Sequence, residues 1–257
     1  MPVRKHQGGL QHSEQDLIAV EEPLEILVNG RNLAITMRTP GNDEELVAGF
    51  LFTEGLLTAR EEVQDIKASD NRVDLTLAED SGVDLSRLQR NFYLTSSCGV
   101  CGKASLEALE SIGCEVRPQK GPRVSAEVLL SLPDKLRAAQ AAFERTGGIH
   151  AAGLFDTEGN LLLTREDVGR HNAVDKLVGR AFLDGRLPLE NCVLMLSGRT
   201  SFELMQKSLM AGLPILAAVG APSSLAVQVA LRFGMTLIGF LRDGRFNVYS
   251  GDARING

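Results

Sequence analysis

Cysteine is scarce: Cys98, Cys101, Cys114 and Cys192 are the four present among 257 residues, too few for a disulfide scaffold, so each must be read on its own. Long apolar runs are missing as well. No stretch approaches the length of a membrane-crossing helix, and the polar start over residues 1–15 lacks the hydrophobic segment of a secretory signal. Both absences predict a cytoplasmic chain with reduced thiols and no membrane association. Positive charge is not in excess. A formal net charge of -6 gives duplex nucleic acid no general electrostatic reason to bind, because that affinity comes mainly from neutralising phosphates with Lys and Arg. A local basic pocket is still compatible with it. What the chain does have is an ordinary apolar fraction, 44%, and enough length for one large domain or two modest ones with a buried core.

The first half reads as strands over 24–28 and 33–38 around Asn29-Gly30, a type I′ hairpin signal, then a helix with Asp43 as N-cap and Gly55 as its stop. A second hairpin is predicted over 63–68 and 73–78, a short strand over 92–95, and a short helix marked by Leu106, Leu109 and Ile112. Turn-forming residues over 117–123 mark a linker, so the expected division is a small β-rich, ββαββ-like domain over 1–120 and an α/β domain over 121–257. In the second part an alanine-rich helix over 134–145, closed by Gly147-Gly148, precedes alternating strands and helices. That rhythm predicts a mixed sheet with helices on both faces, three layers in all.

Cys98-Gly99-Val100-Cys101 lies between a predicted strand and a predicted helix. Its glycines permit a tight turn, and the helix start with nearby Lys103 favours thiolate, the form that attacks another sulfur. Three chemistries fit the pair. Zinc needs more ligands than one pair with Cys114 and the distant His150 and His171 readily supply. A redox dithiol needs a thioredoxin-like context. Persulfide transfer suits an exposed, glycine-rich loop. Cys114 and Cys192 read as small buried hydrophobes.

The second half carries arginine beside glycine at successive strand-to-helix turns. Gly169-Arg170-His171 precedes a helix expected from Ala173, with Asn172 and Asp175 as a variant capping box; Ser197-Gly198-Arg199 precedes another helix. Gly220-Ala221-Pro222-Ser223-Ser224 offers hydroxyls, and Phe240-Leu241-Arg242-Asp243-Gly244-Arg245 adds two arginines. His150 opens a strand after Gly147-Gly148, where a structural role and a ligand contact weigh equally. Turns at one edge of an open sheet converge on a crevice, so this set predicts a pocket for a phosphate-rich ligand.

Together SSCGVCGK, TGGIHAAGLF, EDVGRHNAVDKLVG, SGRTSFELMQK, GAPSSLAV and GMTLIGFLRDGRFNVY resemble the formate dehydrogenase accessory sulfurtransferase family, the FdhD-type proteins, over residues 22–249. The resemblance implies a homodimeric sulfurtransferase that accepts sulfur from a cysteine desulfurase as a persulfide on Cys98, with Cys101 assisting. The sulfur would pass to the molybdenum cofactor, bis-molybdopterin guanine dinucleotide, for formate dehydrogenase. It also implies cofactor binding by Phe240, Leu241, Arg242, Asp243, Gly244 and Arg245, and a second domain of the cytidine-deaminase-like fold without a permanent metal. The helix openings His171-Asn172-Ala173 and Ser197-Gly198-Arg199 lack the His-x-Glu and Pro-Cys-x-x-Cys of zinc deamination, so that chemistry is not expected. The alternative is a non-catalytic cofactor chaperone whose CxxC is structural or holds zinc; a cytosolic dithiol oxidoreductase is a third reading.

Overall fold

The computed structural model describes residues 1–8, 10–83, 106–114, 116 and 121–257. Cys98, Cys101, the strand expected over 92–95 and most of the expected linker lie outside the described residues. Strands β1 (Pro2–Gln7) and β2 (Leu10–Gln15) pair antiparallel as a separate ribbon. A four-stranded sheet follows: β3 (Glu22–Val28), β4 (Arg31–Arg38), β5 (Val63–Ser69) and β6 (Arg72–Leu77), in the order β4-β3-β6-β5. Its two hairpins are antiparallel and meet through the parallel pair β3 and β6. Asn29 and Gly30 take φ of 50° and 72°, the type I′ geometry that Asn-Gly tolerates at little steric cost.

Helix α1 (Asp43–Thr53) connects the hairpins. Asp43 does not cap it as expected. Asn42 holds the N-cap position without a side-chain bond, and the Asp43 carboxylate takes a two-pronged contact from Arg38, Nε to Oδ1 at 3.0 Å and Nη2 to Oδ2 at 2.9 Å. A guanidinium only 1% exposed needs its carboxylate more than the helix needs a cap. Helix α2 (Leu106–Ser111) packs under the end of α1, where Gly55 approaches Ile112.

The short strand β7 (Val124–Ser125) leads into α3 (Ala126–Ala138), which Ser125 caps by accepting from the Val128 N–H at 3.1 Å. The single helix expected over 134–145 is therefore two: α3 runs through Pro133, and α4 (Ala141–Thr146) starts anew after Gln140. Glu166, on a neighbouring strand, accepts from the N–H groups of Ala142 and Phe143 at 3.0 and 2.9 Å, which a continuous helix would have bonded internally.

The large sheet contains β8 (His150–Asp156), β9 (Leu161–Asp167), β10 (Cys192–Leu196), β11 (Ile215–Ala218), β12 (Thr236–Arg242) and β13 (Arg245–Ser250), ordered β13-β12-β11-β10-β8-β9. The three strands β10, β11 and β12 are parallel; the others pair antiparallel. A final strand, β14 (Ile255–Asn256), joins β7. Strand periodicity sends Val193, Met195, Ile215 and Ala217 to one face, against Leu129, Leu132 and Leu136 of α3. Leu194, Leu196, Leu216 and Ala218 face α5 (Arg170–Leu183), α6 (Phe202–Met210) and α7 (Ser224–Phe233). Helices thus cover both faces. The cluster on the second face continues through Leu46, Val47 and Leu51 of α1 into Leu24, Ile26 and Leu75 of the small sheet.

Helices α1 and α5 cross where each has glycine. A Cβ on Gly49 would overlap the carbonyl oxygen of Asp175, and one on Gly179 that of Glu45. Helix α5 starts at Arg170, earlier than expected, and Asn172 is not its cap: its Nδ2 donates to the Met37 carbonyl at 2.8 Å and to Asp167 Oδ1 at 3.0 Å. Asp175 faces the interior. Thr53 donates to its Oδ1 at 2.8 Å, and Lys207 Nζ lies 2.8 Å from the same oxygen. Both capping-box residues are claimed by partners distant in sequence. Among the described residues, no helix is long and apolar enough to cross a membrane.

Candidate functional site

Topology decides which turns meet. Strands β10 to β12 are parallel, so the turns that follow them lie on one edge of the sheet; β8 runs against β10, which places its first residue, His150, on that same edge. His150 pairs in register with Asp167 at the end of β9, so the start of α5, with Arg170 and His171, arrives there too. Hydrogen bonds fasten the turns together. Ser197 N–H donates to the Ala151 carbonyl at 3.0 Å, and Ala151 N–H to Ser197 Oγ at 2.8 Å. Gly220 N–H donates to the Gly198 carbonyl at 3.0 Å, and Phe240 N–H to the Gly220 carbonyl at 3.1 Å.

Gly198 lets the turn lie close to its neighbours: a Cβ there would stand 3.2 Å from His150 Nδ1, a tight contact, and 4.0 Å from Arg170 Cδ. Phe240 has φ of 54°, in the left-handed region that a bulky residue seldom adopts, within a break of register between Gly239 and Arg242. Such a bulge re-aims the residues that follow it and is held only where surrounding structure enforces it.

The electrostatics favour an anion. Burial, reinforced by Arg170, His171 and Arg199, pushes the His150 imidazole below its usual range, so it is neutral at pH 7. His171 Nε2 meets both Ser201 Oγ at 3.1 Å and Glu203 Oε2 at 3.0 Å. A nucleophilic triad would need acid and hydroxyl on opposite ring nitrogens, so this group orients rather than activates. The His171 bond, chiefly, holds the Glu203 carboxyl below the usual range, although burial opposes it. Arg170 Nε, Thr200 Oγ1 and Gln140 Nε2 are buried without hydrogen-bond partners within the protein, an unusual state for native polar atoms.

A cavity of about 540 Å³ opens beside this cluster, lined by His150, Ser197, Val219 and Arg242 on the sheet side and by Asp134, Arg137, Gln140, Phe143 and Gly147-Gly148 on the α3–α4 side. Its size lies in the range for small-molecule sites. The structure therefore brings together His150, Arg170, His171, Ser197, Gly198 and Arg199, with Arg242 on the cavity wall. Phe240 joins them through its backbone. Leu241 is fully buried, in the core under α3, so only its main chain is on offer. Asp243 and Gly244 form the β12–β13 turn and Arg245 opens β13 opposite Arg242. Ser223, in the hydroxyl-bearing turn, is occupied as the cap of α7, accepting from Ala226 N–H at 3.2 Å. Sequence reasoning missed Asp134, Arg137, Gln140 and Phe143, which it placed along one uninterrupted helix. Lys207 of α6 is buried against Asp175; burial opposes its charge, but the Asp175 carboxylate, with Glu54, holds its pKa up. Cys98 and Cys101 lie outside the described residues. Among the described residues, no group of three or more His, Cys, Asp or Glu is placed to hold a metal ion.

Fold and site define a mixed α/β protein whose strand-end turns gather arginine, histidine and serine side chains beside a cavity. The FdhD/NarQ family model matches residues 19–256, and the chain belongs to that family. It is 54% identical to the sulfur carrier protein FdhD of Streptomyces avermitilis, over 98% of this chain and 94% of that one. Against the sulfur carrier protein FdhD of Sulfolobus acidocaldarius the identity is 44%, over 99% and 97%. The crystal structure of a protein from Desulfotalea psychrophila described as a formate dehydrogenase accessory protein superposes with a TM-score of 0.79 at 27% identity, over 100% of this chain and 98% of that one.

Proposed function

We propose that this chain is a sulfur carrier that takes sulfur from a cysteine desulfurase as a persulfide on Cys98 or Cys101 and passes it to the molybdenum cofactor, bis-molybdopterin guanine dinucleotide, required by formate dehydrogenase. The observation that carries the reading is the gathering of His150, Arg170, His171 and Arg199 at one sheet edge beside a cavity, since such a field suits the phosphates of that acceptor. Within it, Arg170, Arg199 and Arg242 neutralise phosphate charge, His150 and Ser197 donate hydrogen bonds, and the Phe240 bulge aims the arginine-bearing hairpin. The cysteine pair supplies the nucleophile, because only a thiolate can accept sulfane sulfur and release it again. The relatives' name, sulfur carrier, supports the sulfur half of the reading.

The same proposal takes the molecule as a cytoplasmic homodimer, with a small domain over 1–120 and a cytidine-deaminase-like domain over 121–257 that binds the acceptor. Mass spectrometry after incubation with a cysteine desulfurase and cysteine should find added sulfur on Cys98 or Cys101. Formate dehydrogenase activity should fall to background when Cys98→Ala and Cys101→Ala are combined. Full activity in the double variant, with the acceptor still bound, would instead establish the chaperone reading, and one zinc per chain lost with either cysteine would establish its zinc form.

A further inference from the structure

Between α5 and α6 lies a ladder of titratable side chains that meets the anion site only at its outer end. His171 and Asp175 stand one turn apart on α5, and Glu203 and Lys207 one turn apart on α6, so each pair shares a helix face. The outer rung sets His171 Nε2 3.0 Å from Glu203 Oε2, and the inner rung sets Lys207 Nζ 2.8 Å from Asp175 Oδ1. Acid and base change sides from one rung to the next. Glu203 thus has two bases within reach, one across the gap and one along its own helix. The His171 bond first, and Lys207 after it, hold the Glu203 carboxyl below its usual range although burial opposes them. The outer rung is partly exposed and the inner one is buried.

The inner rung ends on α1. Lys207 Nζ donates to Thr53 Oγ1 at 3.0 Å and lies 3.8 Å from Glu54 Oε1, Thr53 Oγ1 donates to Asp175 Oδ1 at 2.8 Å, and Gln206 Nε2 donates to the Thr53 carbonyl at 3.2 Å. These contacts fasten the last turn of α1, and Gly55, just beyond it, packs on Ile112 at the end of α2, the first described element after Cys101. Resting on the anion-site reading above, we infer that the ladder is a switch through which occupancy of the anion site loosens the end of α1. A phosphate held by Arg170 and Arg199 repels the Glu203 carboxylate and competes with it for His171. Glu203 then turns to Lys207, one turn along the helix. Two carboxylates now share one ammonium, so its hold on Thr53 and Glu54 weakens. The ligand is felt at α1 because the tight and loose states differ in their affinity for it.

Hydrogen exchange of the full-length protein with and without saturating pyrophosphate tests this. The amides to follow are those of Glu54, Gly55, Leu56 and Leu57, which donate to carbonyls in the last turns of α1, and those of Gly113 and Cys114, which donate back to α2. Pyrophosphate should speed their exchange at least about fivefold in the wild type, the lower end of coupling between sites. Binding to the folded state ordinarily slows exchange, so a ladder that is merely structural gives no change or a slowing. Glu203→Gln keeps a hydrogen-bonding side chain but has no charge to turn on Lys207; it should bind pyrophosphate and lose the acceleration. The double variant Lys207→Met with Asp175→Leu, whose inner rung is apolar, should lose it too, and serves if Glu203→Gln melts early. Acceleration that persists in either variant, or that is absent from a wild type that binds pyrophosphate, overturns the switch and leaves the anion site standing. A wild type that shows no pyrophosphate binding by calorimetry ends both.

Discussion

A half-buried histidine set beside two arginines responds to pH in a definite direction. His150 has its pKa lowered by burial and by Arg170, His171 and Arg199, so below about pH 6.5 the unfolded chain takes up this proton more readily than the folded one. Stability should therefore decline as pH falls from 6.5 toward the folded pKa, and His150→Asn should flatten that arm of a urea-denaturation series. An anion favours the charged imidazole, so binding should draw in a proton. Sulfate, whose charge is constant over this range, should bind more tightly at pH 6 than at pH 8, and the slope should be reduced in His150→Asn. Much at this scale was legible in the sequence. Arg170, His171, Ser197, Gly198 and Arg199 stand beside glycine at strand-to-helix turns, and the expected alternation of strands and helices in an open sheet set such turns at one edge. The place of Gln140 on the cavity wall was not legible, because it depends on Glu166, a residue remote in sequence, capping α4 in its place.

At the level of elements, the helix starts were the least readable. Asp43, Asn172 and Asp175 all looked like capping residues, and each is drawn off by another partner: Asp43 by Arg38 on the preceding strand, Asn172 by Met37 and Asp167, and Asp175 by Lys207 and Thr53. Capping propensity is worth about 1 kcal/mol, less than satisfying a buried ion, so the tertiary demand prevails. Glu166→Ala should cost about 1 kcal/mol and speed hydrogen exchange at the Ala142 and Phe143 amides, the two N–H groups it covers. The glycines at the α1–α5 crossing invert a familiar rule. Glycine to alanine inside a helix ordinarily gains about 0.5–1 kcal/mol. Gly49→Ala or Gly179→Ala should instead lose about 1–3 kcal/mol by urea denaturation, since the new methyl meets the backbone of the other helix.

For the whole molecule, a continuous apolar cluster and a buried ion pair tie the two sheets together. Lys207→Met leaves Asp175 buried without its cation and should cost about 3–5 kcal/mol, while adding Asp175→Leu should recover much of the loss. Hydrogen exchange should give similar opening energies for β3 and β10, because neither sheet can lose its partner without uncovering the shared cluster. The alternation of strands and helices made the large sheet legible, and Asn29-Gly30 the small one; the way they join was not, because nothing in the local pattern pairs Gly49 with Gly179. That junction has a mechanical corollary. With two backbones in direct contact and Asp175 and Glu45 carbonyls filling the glycine notches, α1 and α5 are keyed against axial slippage. Sliding either helix along its axis would drive a Cα into the opposite carbonyl, so slippage is the displacement this junction resists most directly. Distances measured between spectroscopic labels on either side should stay constant along the helix axes.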